Sequence, residues 1–173
     1  LKNMAYLQVV QRFQYYYTIC RQKVKKLQEL LEEIQLRNEK VVIYTKFLGE
    51  IKFLRESGLL RNKKFAVICG LTNKLRAARL FEADHNILIC TYKVEIPRLL
   101  LQDCKNVIYF SQTFDYKDKY YPLSRVYGSE NCSLNVYDFW VDTELENLIK
   151  TSLTLKKQVL ENVCETIEFD KVL

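Results

Sequence analysis

EKVVIYTKFLGEIKFLRESG, residues 39–58, holds the pattern that decides the fold: a β-branched run, a polar turn, a helical stretch and a glycine. VVIYT (41–45) is apolar almost throughout, the composition of a strand covered on both faces. FLGEIKFLRES (47–57) carries apolar residues at helical spacing, and Gly58 suits the position that closes a helix. The unit then recurs. KFAVICG (64–70) is a second strand, and NKLRAARLFEA (73–83) is a helix favoured by its Ala, Leu and Arg content. NILICT (86–91), NVIYFS (106–111) and SLNVYDFWV (133–141) are the third, fourth and fifth strands. TELENLIKTSLTLKKQVLENVCETI (143–167) is a long closing helix. Pro97 leaves VEIPRLLL (94–101) ambiguous, and 115–124 reads as loop with a short helix.

Two amphipathic helices precede this series. Met4, Leu7, Val10, Phe13 and Tyr17 mark one over 3–18; Val24, Leu27, Leu31 and Ile34 mark another over 22–37. Strands that alternate with helices, each strand near-continuously apolar, predict an α/β fold of three layers: a parallel sheet with helices on both faces. Residues 1–22 form an N-terminal helical extension in this reading, and 23–173 one domain. Ligands of such sheets bind outside the carboxyl ends of the strands. Here those ends are Thr45-Lys46, Gly70, Thr91-Tyr92-Lys93, Ser111-Gln112 and Asp142.

Composition narrows the chemistry. The 173 residues include only four glycines and two prolines, which excludes collagen-like and low-complexity chains. Neither G-x-x-x-x-G-K-[ST] nor G-x-G-x-x-G occurs, so no glycine-rich loop of those kinds cradles a phosphate. A net charge of +6 is compatible with a polyanionic partner without requiring one. The six cysteines form no C-x-x-C, and His85 is the one histidine, so no metal site is expected. Cys69 and Cys90 lie inside apolar runs and read as small buried hydrophobes. Reduced thiols point to an intracellular setting, cytoplasmic or nuclear. No apolar run is long enough to span a membrane. A chain that begins at Leu1 is expected to be a piece of a longer polypeptide.

Several segments, in order over roughly 23–165, resemble the C-terminal RecA-like lobe of superfamily-two helicases, in the Swi/Snf-type DNA translocase branch. KLQELLEEI (26–34) followed by EKVVIYTKFLGEIKFL (39–54) is similar to the helix and lysine-led strand that open that lobe. AVICGLTNKLRAARLF (66–81) is similar to the next strand and arginine-bearing helix, and NVIYFSQTFDY (106–116) to V-I-x-x-D-x-x-W-N. LNVYDFWVDTELENLI (134–149) resembles V-x-V-Y-x-L-V-x-x-x-T-I-E-E-x-I, and YPLSRVYG (121–128) falls at the final arginine motif.

The resemblance implies a lobe that works with an N-terminal ATP-binding lobe of the same parent chain, using ATP and magnesium only together with it. Thr45, Lys46, Thr91 and Lys93 would grip a nucleic-acid strand, with DNA ahead of RNA. Arg125 would be the catalytic cation that reaches the γ-phosphate. The chain departs from the family at several points. Tyr121 replaces the glutamine of Q-x-x-x-R-x-x-R and Gly128 its second arginine; Ser111 replaces the aspartate and Phe114 the tryptophan; VEIPRLLL replaces a glycine-rich stretch. These departures define the alternative, a non-catalytic RecA-like lobe serving as scaffold or interaction module. An unrelated α/β enzyme lacks a nucleophile–base pair to support it. The same residues admit plainer roles: Thr45 and Thr91 as helix caps, the lysines as solvated charges, Arg125 as an ion-pair residue. Tyr116, Tyr120 and Tyr121 with Lys117 and Lys119 form a second cluster able to stack bases.

Overall fold

A computed structural model of the chain describes residues 21–70, 72–83, 85–96, 101, 103–126 and 134–169; the side chains of 122, 124–126 and 162–169 fall outside that description. The helix expected over 3–18 lies outside the described residues, as do residues 97–100 of the ambiguous segment 94–101. Helix α1 occupies 21–36, followed by β1 (Lys40–Thr45), α2 (Leu48–Glu56), β2 (Phe65–Ile68), α3 (Lys74–Ala83) and β3 (Ile87–Thr91). The second half holds β4 (Cys104–Tyr109), α4 (Tyr116–Val126), β5 (Asn135–Asp138) and α5 (Glu144–Phe169). The strands form one all-parallel sheet in the order β2-β3-β1-β4-β5. β1 lies at its centre, so the carboxyl end of β1 sits between those of β3 and β4.

Period-two alternation divides the strand residues between two cores. Val41, Ile43, Ile87, Ile89, Ile108 and Phe110 face the side covered by Leu27, Leu31 and Ile34 of α1 and Ile51 and Leu54 of α2. Val42, Tyr44, Leu88, Cys90, Val107 and Tyr109 face the opposite side, with Ala77 and Phe81 of α3. The sheet thus has helices on both faces, a RecA-like α/β arrangement. α5 contributes Ile149 and Leu153 to the interior and is tied to α1 by Lys23 and Glu146, whose Nζ and Oε1 lie 2.6 Å apart.

Helix ends follow from local chemistry. α1 closes on Asn38, whose φ of 53° is one of the left-handed conformations asparagine tolerates. Gly58 follows α2 with φ +80°, a position where a side chain would be strained. The structure differs from the sequence reading in three places. α4 is a helix of 11 residues although Pro122 lies within it. β4 begins two residues earlier than expected, and its pairing with β1 shifts register between Lys40 and Val41. β5 is shorter than the expected strand because its partner β4 ends at Tyr109, opposite Asp138.

Candidate nucleic-acid interface

The parallel sheet brings the ends of β1, β3 and β4 to one rim. Thr45, the last residue of β1, is fully buried there, and its hydroxyl donates to the Cys90 carbonyl at 3.3 Å. It joins β1 to β3 beneath the rim and caps no helix. The part-buried backbone amides that start α2 are served instead by Glu50. Its Oε2 accepts from the N–H groups of Lys46 and Phe47, both at 3.0 Å, and from the Ser111 hydroxyl at 2.8 Å. Ser111 Oγ in turn accepts the Lys46 N–H at 2.7 Å. A buried carboxylate needs such donors to offset its desolvation. This arrangement gives a physical reason for serine at 111, because an aspartate there would set a second carboxylate against Glu50.

Beyond this knot the rim opens into a cleft of about 390 Å³ lined by Lys46, Phe47, Gly70, Thr91, Lys93 and Thr113, with Asp118 at its side. The structure therefore brings together three of the four residues expected to grip a strand, Lys46, Thr91 and Lys93, and places Thr45 underneath them. The Lys46 ammonium stands 5.8 Å from the ring centroids of both Phe47 and Phe114. Phe47 is 52% exposed and Phe114 is 40% exposed. A neighbouring cleft of about 330 Å³ shares Lys93 and Asp118 and adds Glu95, Asp115, Lys117 and Tyr121.

Three stacked tyrosines form the floor. The ring centroids of Tyr44, Tyr92 and Tyr109 lie 5.5–5.8 Å apart. Tyr92 donates its hydroxyl to the Ser111 carbonyl, and Tyr109 to the Lys119 carbonyl, each at 2.6 Å. Burial pushes both phenols well above their ordinary range, so they act as neutral donors.

The second aromatic cluster divides. Lys119 is buried, with its ammonium 3.8 Å from the Tyr109 centroid, hydrogen-bonded to Gln112 Oε1 at 2.8 Å and paired with Asp138. Desolvation lowers its pKa, while Asp138 acts the other way. Tyr116 and Tyr120 pack on each other with centroids 4.4 Å apart. Tyr116 and Tyr120 are half-buried, whereas Lys117 and Tyr121 are exposed, with 5.7 Å from ammonium to ring. Arg125 lies in the last turn of α4, with its side chain outside the described residues, as is Gly128 altogether.

Sequence reading missed Glu50 and the Phe47–Phe114 pair. Glu50 stands three residues after Phe47, half of a capping-box pattern whose other half, Ser or Thr, is absent. The two phenylalanines are far apart in sequence, and only the adjacency of β1 and β4 joins them.

Among solved structures, the C-terminal part of the Fun30 ATPase domain matches with a TM-score of 0.66 at 23% sequence identity. The match covers 76% of this chain and 44% of that one. This chain has the fold of that ATPase-domain fragment. The likeness is one of fold, a RecA-like α/β lobe, and the resemblance read from the sequence stands at that level. The chain spans less than half of the Fun30 structure it matches. No protein-family model and no curated protein matches the sequence. Among the described residues no helix is long and apolar enough to cross a membrane, and no three His, Cys, Asp or Glu side chains gather as a metal site.

Proposed function

We propose that the chain is the C-terminal lobe of an ATP-dependent nucleic-acid helicase or translocase, and that it holds the nucleic acid at the strand-end cleft. The observation that carries this reading is the meeting of Lys46, Thr91 and Lys93 in one cleft at the carboxyl ends of β1 and β3. Lysines serve as point charges for phosphate, and the Thr91 hydroxyl adds a directional contact. Thr45 supports the grip from below by fixing β1 to β3.

ATP and magnesium are the cofactors of this reading, held by an N-terminal lobe of the same parent polypeptide. ATP hydrolysis supplies the free energy for closing and opening the two lobes. The residues of this chain fit a one-sided contribution to such a nucleotide. They bring no glycine-rich phosphate loop, and they bring Arg125 on α4, a group suited to a developing phosphate charge. DNA is the expected polyanion ahead of RNA.

Tyr121 and Gly128, where the family pattern has glutamine and a second arginine, favour a second reading: a lobe that has lost turnover and acts as a scaffold. Both readings keep the fold; they differ in nucleic-acid binding and in ATPase activity of the parent polypeptide.

The test is the salt dependence of DNA binding. Lys46→Gln and Lys93→Gln are expected to weaken binding and to flatten the logarithmic salt slope by about 0.7–0.9 each. An unchanged slope in both variants would remove the cleft from the interface and leave the scaffold reading.

A further inference from the structure

We propose that residues 3–18 dock along α5 as an antiparallel helix, seating Tyr6, Val10, Phe13 and Tyr17 on an apolar row formed by Leu148, Ser152, Leu155 and Val159. The proposal is independent of the nucleic-acid reading above.

The row on α5 needs a partner. Leu145, Leu148, Leu155 and Val159 are each 56–63% exposed, on a helix whose Ile149 and Leu153 are buried. At about 100° per residue they fall, with Ser152, along one flank of α5. A single exposed leucine needs no explanation, but a contiguous apolar row marks a contact surface. Charged groups nearby are engaged elsewhere. Glu146 holds Lys23 at 2.6 Å, Lys156 donates to the Phe114 carbonyl at 2.7 Å, and Lys157 pairs with Glu161 at 3.5 Å. Beside the row a cleft of about 360 Å³ opens between Leu155, Val159, Leu160 and the ring of Tyr116. Such a surface takes an apolar occupant with little charge.

The segment before α1 has that character and the matching spacing. Between residues 3 and 18, Arg12 is the one charged side chain. Tyr6, Val10, Phe13 and Tyr17 recur at steps of four, three and four, and so do Leu148, Ser152, Leu155 and Val159. Two helices with this repeat pack seam to seam. Run antiparallel, they align in every layer: Tyr17 on Leu148, Phe13 on Ser152, Val10 on Leu155 and Tyr6 on Val159. The large ring of Phe13 then meets the smallest side chain of the row, the alternation that close packing favours. Attachment sets the direction. α1 begins at residue 21, and Lys23 is tied to Glu146 in the first turn of α5. The segment therefore starts beside the N-terminal end of the row and has to run against α5 to follow it. Glu146 lies on the other flank of α5, so residues 18–21 cross the end of that helix. Three residue steps span about 10 Å, the width of a helix. A 16-residue helix is about 24 Å long, enough to cover the roughly 17 Å from Leu148 to Val159. So short a tether also gives the segment an effective concentration of millimolar order, ahead of a second copy of the chain.

Photocross-linking of the 173-residue chain tests the register. Tyr6, Phe13 and Tyr17 are replaced one at a time by p-benzoylphenylalanine, and the linked peptides are mapped by mass spectrometry. Position 17 should link near Leu148, position 13 near Ser152 and position 6 near Val159, each within one chain. Amide hydrogen exchange supplies a second readout. Leu155→Asp should speed exchange of residues 3–18 by about 10- to 150-fold, the factor for one lost leucine burial, and leave β1 unchanged. Links in this order between two chains, seen as a covalent dimer, would overturn the proposal and assign the row to a second copy. Links in the opposite order, or none to α5, would overturn it as well. So would unchanged exchange of residues 3–18 in Leu155→Asp.

Discussion

Glu50 is the side chain on which the shape of the rim depends most. It is 2% exposed and accepts from two part-buried backbone amides and one buried hydroxyl, the Lys46 amide being shared with Ser111 Oγ. Leaving buried donors unsatisfied costs about 1–3 kcal/mol per group. Glu50→Ala is therefore expected to lower the unfolding free energy by roughly 3 kcal/mol or more, and Glu50→Gln, which keeps one acceptor oxygen, by clearly less. Urea denaturation of the two variants checks this order; equal and small losses would mean that water replaces the carboxylate. At this scale the sequence was only partly legible. Lys46, Thr91 and Lys93 were recognisable because they end apolar runs, and the structure gathers them. The burial of Thr45 was hidden, because a threonine at a strand end looks alike whether its hydroxyl faces a ligand or a neighbouring carbonyl. The Glu50–Ser111 hydrogen bond joins residues 61 apart, a contact no local pattern can announce.

Helix α4 illustrates what governs an element against its own propensity. YKDKYYPLSRV carries a proline and few apolar residues, so its sequence suggests a loop and a short helix. The full helix is anchored from its first turn by Lys119, which reaches back to Gln112 and Asp138 and lies over the ring of Tyr109. That anchor fixes where the rest of α4, including Arg125, is carried. The pair is asymmetric: Lys119 is 3% exposed and Asp138 is 36% exposed. Removing the carboxylate strands a buried ammonium, whereas removing the ammonium frees a carboxylate that water already reaches. Asp138→Ala should thus cost about 3 kcal/mol or more, and Lys119→Met, which keeps the volume, markedly less. Chemical denaturation of both variants measures the difference, and a reversed order would show that the cation–ring contact outweighs the ion pair. Strands were easier to foresee. β1, β3 and β4 are β-branched and apolar because they are covered on both faces, whereas β5 is an edge strand whose length is set by where β4 stops.

At the scale of the whole molecule, alternating strands and helices sufficed to give a parallel sheet with helices on both faces. Strand order did not follow from the alternation. It takes the tertiary structure to put β1 between β3 and β4 and so to converge three carboxyl ends on one cleft. Under the proposed function, the absence of a glycine-rich phosphate loop fits a lobe that works beside a separate nucleotide-holding lobe. The likeness to the C-terminal part of the Fun30 ATPase domain is one of fold. Amide hydrogen exchange of the chain with and without single-stranded DNA tests the central claim most directly. The account predicts slowed exchange confined to the β1–α2 turn around Lys46 and Phe47, the β3 end at Thr91–Lys93, and the turn around Thr113–Phe114. Protection that spares these three segments and falls instead on the solvent-facing side of α5 would contradict it.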